Sequence, residues 1–152
     1  MDHQGLADGL AERLNAVRRV LRRRLRAGLA RPPFTGSQVE LLKHVEAVPG
    51  VGVGAAAQAL HLAGNSVSTL VNQLTRDGLL TRERDPGDGR TARLFLTPLA
   101  ADRLRTWRAA RGELLAKALA ELTEDERRVL AGALPVLDRL AGALEKTEGG
   151  AR

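Results

Sequence analysis

The chain has 152 residues and no cysteine, which allows one domain, or one domain with a helical extension, and removes disulfides, thiolate metal sites and cysteine redox chemistry together. Its aromatic residues, Phe34, Phe95 and Trp107, are too few for a platform that stacks single-stranded bases. The net charge of +6 favours a polyanionic partner, but eight arginines against Asp2, Asp8 and Glu12 put +5 of it in residues 1–36.

Leu6, Leu10, Leu14, Val17, Leu21, Leu25 and Leu29 recur three or four apart, which predicts a long amphipathic helix over residues 6–29. Arg31-Pro32-Pro33 stops it. Arg18, Arg19, Arg22, Arg23, Arg24 and Arg26 cover much of its other surface. That face reads either as a solvated one or as a contact for phosphates or an acidic partner.

Thr35 and Gln38 form a capping box for a second helix carrying Val39, Leu41, Leu42 and Val45, which ends before Pro49-Gly50. The alanines of residues 55–57 predict a short helix over about 54–60. Residues 61–64 make a turn. A further helix opens at Gly64 or Asn65 and runs to about Asp77, with Val67, Leu70, Val71 and Leu74 as its apolar stripe and Gly78 closing it. Two strand-like runs follow, 79–84 and 91–96, around the turn formers of 85–90. Thr97 and Pro98 open a helix to about Leu119. Thr123 and Glu126 form a second capping box, opening a last helix in which Pro135 is expected to cause a kink or a division. Residues 145–152 read as a frayed tail.

A short helix, a four-residue turn and a second helix have helix-turn-helix form, in which the second helix enters the major groove of duplex DNA. The outward positions of that helix are Asn65, Ser66, Ser68, Thr69, Asn72, Gln73 and Arg76. Their amides and hydroxyls can meet base edges or phosphates; in isolation the same pattern is an ordinary solvated face. The hairpin beside it shifts the balance, because Arg84 and Arg90 flank its loop and Arg93 follows. Arginine at a hairpin tip suits the negative potential of a narrow minor groove. Asp85 and Asp88 repel phosphate and so read as structural, capping the loop or orienting an arginine. The fold expected is mainly α with a small β-hairpin wing: a winged helix-turn-helix lobe over 35–97, flanked by long helices over 6–30 and 98–145, in one domain of residues 1–152.

The segment Asp85-Pro86-Gly87-Asp88-Gly89-Arg90, with Leu94, Leu96 and Thr97 after it, resembles the wing pattern of the MarR family of bacterial transcriptional regulators, D-P-x-D-x-R-x-x-x-L-x-L-T. Residues 69–74 and Gly78-Leu79-Leu80 are similar to that family's recognition helix and its exit, and Thr35 and Gln38 to the start of its second helix. The resemblance implies a sequence-specific reader of double-stranded DNA, with Arg90 in the minor groove, Asp88 holding the wing, and Asn65, Ser66, Ser68, Thr69, Asn72 and Gln73 facing the major groove. It departs from the family at Ala63 and Gly64, where a serine cap and an early arginine are common, and at Thr69, where a basic residue is common.

The resemblance further implies a homodimer built from the terminal helices, an inverted-repeat operator, repression as the usual mode, and a small aromatic or phenolic effector. Candidate lining residues for the effector are Val17, Leu21, Leu41, His44, Val45, Leu104 and Trp107, the aliphatic ones reading more readily as core packing. His3, His44 and His61 lack metal-ligand spacing, so neither a metal nor another cofactor is expected. Phosphate-binding loop, nucleophile-elbow and H-E-x-x-H motifs are missing from the sequence, so an enzyme is not expected. A protein-interaction module that keeps the fold, or a nonspecific DNA-coating protein, is the competing reading. No run of eighteen apolar residues and no basic-then-apolar leader occurs, so no membrane partner and a cytoplasmic location are expected.

Overall fold

The computed structural model describes residues 2–29, 34–87 and 92–148. In chain order these form α1 (His3–Gly28), α2 (Gly36–Ala47), β1 (Val51–Gly52), α3 (Val53–Ala59), α4 (Gly64–Arg76), β2 (Leu80–Arg84), β3 (Ala92–Leu96), α5 (Pro98–Ala120) and α6 (Glu124–Glu148). The chain divides into two compact units, Met1–Arg111 and Gly112–Arg152, with the boundary inside α5.

Local chemistry sets most element ends. The Asp2 carboxylate accepts the Gly5 N–H at 2.7 Å and caps α1. Thr35 and Gln38 bond reciprocally across the start of α2, satisfying two N–H groups that the first turn leaves open. Gly78 takes φ +69° just after α4, a left-handed conformation that glycine adopts without steric cost. At the far side of the hairpin, the Thr97 hydroxyl donates to the Gly78 carbonyl at 2.7 Å and accepts the Ala100 N–H at 3.2 Å. One side chain therefore ties the entry of the hairpin to its exit and caps α5.

Three antiparallel strands lie in the order β1-β3-β2. Leu80 pairs with Leu96 and Arg84 with Ala92, while Val51 pairs with Leu94. The strand β1 is an addition to the sequence reading. Two residues cannot display alternation, and their ladder partner lies some forty positions later in the chain. Gly50 turns the chain into β1 at φ +84°, and a Cβ there would stand 3.3 Å from the Phe95 ring.

The core of the first unit is wholly apolar. Leu41, Leu42 and Val45 of α2, Val67, Val71 and Leu74 of α4, Leu79, Leu80 and Leu94 of the hairpin, and Leu104 of α5 are sealed from solvent. They clamp α4 against the sheet from the inside and leave its polar face outward. Among the described residues no polar or charged side chain is buried.

In the second unit, Thr123 and Glu126 form the capping box of α6, and the Thr123 backbone hydrogen bond holds the Glu126 carboxyl below its ordinary range. Arg127 donates to the Leu119 carbonyl at 3.2 Å and to the Leu122 carbonyl, closing the end of α5. Two sequence expectations change here. The helix α6 runs unbroken through Pro135, so the proline does not divide it: only the bond to the Ala131 carbonyl needs its missing N–H, and the neighbouring turns continue. The helix also extends to Glu148, shortening the expected tail from residue 145. The stop at residues 31–33 lies outside the described residues.

Candidate nucleic-acid interface

The reading head is built on α3, the turn after it, and α4. Leu62 donates its backbone N–H to the Ala57 carbonyl at 3.0 Å, and His61 adopts φ +50°. These contacts reverse the chain between the two helices. No side chain caps α4: Ala63 stands at the N-cap position, and the Asn65 carbonyl oxygen of the side chain accepts the Ser66 N–H at 2.8 Å.

Of the outward positions read from the sequence, Asn65, Ser66, Thr69, Asn72, Gln73 and Arg76 are exposed and Ser68 is half-buried. The Thr69 hydroxyl donates to the Asn65 backbone carbonyl at 2.9 Å, which spends its proton within the helix and leaves it an acceptor toward any outside group. Ser68 sits beside the buried Val67 and Val71 stripe, so it belongs to the flank of the face rather than its crest.

The hairpin carries an organised polar cluster. Asp85 accepts the Gly87 N–H at 2.8 Å through one carboxylate oxygen and the Arg93 Nε–H at 2.9 Å through the other. The carboxylate thereby pins the start of the loop to β3 and fixes one end of Arg93. Arg84 is exposed at the end of β2. Asp88 and Arg90, both singled out in the sequence, lie outside the described residues.

One arginine that the sequence reading passed over stands against the helix. Arg82 donates from Nη2 to the Asn72 side-chain oxygen at 2.6 Å. Thr69, Asn72, Thr75, Arg76 and Arg82 line a shared depression between α4 and β2. Strand alternation carries the signal that would have found it: side chains two apart share a face, and Leu80, two before Arg82, is buried in the core that also holds Leu74.

A second concavity, about 410 Å³, lies between α1, α2 and the start of α5. Its apolar wall is Leu21, Leu25, Phe34, Val39 and Trp107; its charged rim is Arg18, Arg22, Lys43 and Arg111 against a single acid, Glu40. The Arg111 guanidinium sits 4.5 Å over the Trp107 ring. Of the seven residues expected to line an effector cleft, Leu21 and Trp107 do so. Leu41, Val45 and Leu104 are in the sealed core, Val17 is 58% exposed on α1, and His44 is half-buried outside the lining. The reason is helical phase. Gly36, Val39, Glu40 and Lys43 share one face of α2, whereas Leu41 and Val45 share another and His44 falls between the two.

Among the described residues no three histidine, aspartate or glutamate side chains gather closely enough to hold a metal ion, and no helix is long and apolar enough to cross a membrane.

Residues 33–91, which span α2 to the hairpin loop, match the model of the MarR family. That segment is similar to the MarR family. The fold of the chain is similar over nearly its whole length to solved structures of that group. Against FabT of Streptococcus pneumoniae, solved in complex with DNA, the TM-score is 0.74 at 22% identity, covering 94% of this chain and 99% of that one. Against the PcaV transcriptional regulator of Streptomyces coelicolor, solved with its natural ligand, it is 0.68 at 26% identity, covering 95% and 97%. Against a MarR family protein of Bacillus stearothermophilus it is 0.71 at 24% identity, covering 93% and 99%. Among curated proteins none matches the chain. The mainly α fold with a small β-sheet wing is thus that of a MarR-type, DNA-binding transcriptional regulator.

Proposed function

We propose that this chain is a MarR-type, homodimeric, effector-responsive repressor that reads an inverted-repeat operator in double-stranded DNA in the cytoplasm. One observation carries the reading: the exposed face of α4 is a run of amides and hydroxyls, set beside a hairpin whose strands carry the exposed Arg84 and Arg93. The helix suits the major groove and the hairpin suits the backbone and minor groove next to it. Asn65, Ser66, Ser68, Thr69, Asn72, Gln73 and Arg76 are assigned to the first role, Arg84, Arg90 and Arg93 to the second. Asp85 and Asp88 are assigned to holding the wing.

The dimer is supported by apolar surface that the single chain leaves in water. Leu6, Leu14, Val17 and Val20 of α1, and Val129, Leu130, Leu134, Val136, Leu140 and Leu144 of α6, are all exposed. Surface of that kind on two terminal helices is what a second copy can cover. The effector is assigned to the cleft between α1, α2 and α5. Two rings, an aliphatic wall and four cations against one carboxylate suit a small aromatic anion. Such a ligand can release DNA only if it binds one arrangement of the heads better than the other.

Equilibrium binding at a series of salt concentrations tests the reading. Duplex carrying the operator is expected to bind on the order of a thousandfold more tightly than random duplex, or better, with affinity falling steeply as salt rises. Equal affinity for both duplexes contradicts it and favours a nonspecific coating protein. Arg90→Ala is expected to weaken all sites and lower the salt slope by about one.

A further inference from the structure

We propose that Arg82 is a specificity-determining residue: it fixes the direction in which the Asn72 amide faces the DNA and biases that position of each half-site toward a G·C pair. The inference rests on the reading of α4 as the helix that enters the major groove.

An asparagine side chain presents an oxygen that accepts and an NH2 group that donates, and the two ends have nearly the same shape. A free asparagine on a recognition helix can therefore turn either end to a base. Paired in register it suits adenine, accepting from N6 and donating to N7. Arg82 removes that freedom. A guanidinium has donors and no acceptor, so only the Asn72 oxygen can face it, as the 2.6 Å contact from Nη2 requires. The NH2 end is thereby turned away from β2.

Two consequences follow for the base edge. The oxygen already bonds a cation, which draws electron density from it and weakens it as a second acceptor, while polarising the NH2 group as a donor. The positive charges of Arg82 and Arg76 also line the depression that Asn72 shares with them, which favours an electronegative edge. Guanine, with O6 and N7 side by side as acceptors, meets both conditions. Adenine offers that donor only N7, and its N6 group needs the oxygen that Arg82 already occupies.

Arg82 sits where it can hold this contact before DNA arrives. It lies in the ladder, paired with Leu94 of β3, two residues after the buried Leu80 that anchors β2 in the core. Its contact spans ten residues of sequence, from strand to helix, so Asn72 is aimed by the wing and not by its own helix.

Selection of binding sites from a random duplex pool, done with the full-length chain, tests the proposal. Wild type, Asn72→Ala, Arg82→Met and the double variant are compared. Arg82→Met keeps the stem and removes the donors. Wild type is expected to select G·C at one position per half-site, and Asn72→Ala to erase that preference. Arg82→Met is expected to relax the same position toward A·T by about three- to tenfold, the worth of one hydrogen bond. The double variant is expected to match the preference of Asn72→Ala. Selection of A·T at that position by wild type overturns the proposal. So does an Arg82→Met variant that weakens every site alike, the result expected of a simple phosphate contact, and so does a change of preference in the double variant beyond Asn72→Ala. A wild type that selects no sequence defeats the DNA-reading function as well, whereas the other outcomes leave it standing.

Discussion

The missing side chain of Gly78 answers a conformational requirement and not a packing one. The φ of this residue is +69°, and a Cβ built there meets no atom within 4 Å. Gly78→Ala is therefore expected to cost about 1–2 kcal/mol through the left-handed backbone alone, read as a lower midpoint in urea with an unchanged slope. Gly50→Ala is expected to cost more, because its Cβ also presses on Phe95. Charge at the same scale is worth less. The Arg108 guanidinium hydrogen-bonded to Glu46 holds that carboxyl below its ordinary range, and the same contact pushes Arg108 up. Both side chains are 39% exposed, so solvent screening limits the pair to roughly 0.2–1 kcal/mol. A carboxyl lowered in the folded state stabilises above its unfolded value and loses that contribution as pH falls through the folded one. Acid titrations of wild type and Glu46→Gln should therefore differ near neutrality and converge below the carboxylate range. A constant gap down to the lowest pH would contradict the assignment.

Among the elements, the hairpin depends on a single threonine at its base. Thr97 bonds the Gly78 carbonyl and the Ala100 N–H at once. Thr97→Val keeps the shape and removes both bonds, and should cost about 1–2 kcal/mol. Hydrogen exchange should show the loss in the hairpin and the first turn of α5 together; loss confined to α5 would mean that Thr97 is only a cap. The elements legible in the sequence were those with local causes: the capping boxes at Thr35 and Thr123, the stop at Gly78, the turn formers between the strands, the apolar phase of α4. What escaped has non-local causes. The strand β1 exists because Val51 meets Leu94. The cleft lining follows from which face of α2 meets α1, and heptad-like spacing in α1 alone does not tell Leu21, which lines the cleft, from Val17, which is exposed. Arg82 was legible by alternation from Leu80, but its partner Asn72 became evident only with β2 laid against α4.

At the scale of the whole molecule, the positive charge and the proposed reading surface lie in different parts of the chain. Residues 1–36 hold +5, while residues 65–97 hold five arginines and four acids. On the proposed function, direct reading falls to the polar crest of α4 and to the wing, while the long-range field comes from α1. The exposed apolar residues of α6 carry the expectation of a second copy. Val129 is 72% exposed and Leu134 60%, so replacing both with aspartate should spare the fold of the single chain and halve the mass seen by light scattering. An unchanged mass would move the interface elsewhere. If two copies assemble with two-fold symmetry, their recognition helices stand about one DNA turn apart, roughly 34–36 Å. The most direct measurement of sequence-specific, two-fold recognition is the set of duplexes that the wild-type chain selects from a random pool. The expected result is two copies of one half-site in inverted orientation, centred about 10 base pairs apart or a multiple of that. An unenriched pool, or a single unrepeated half-site, would contradict it.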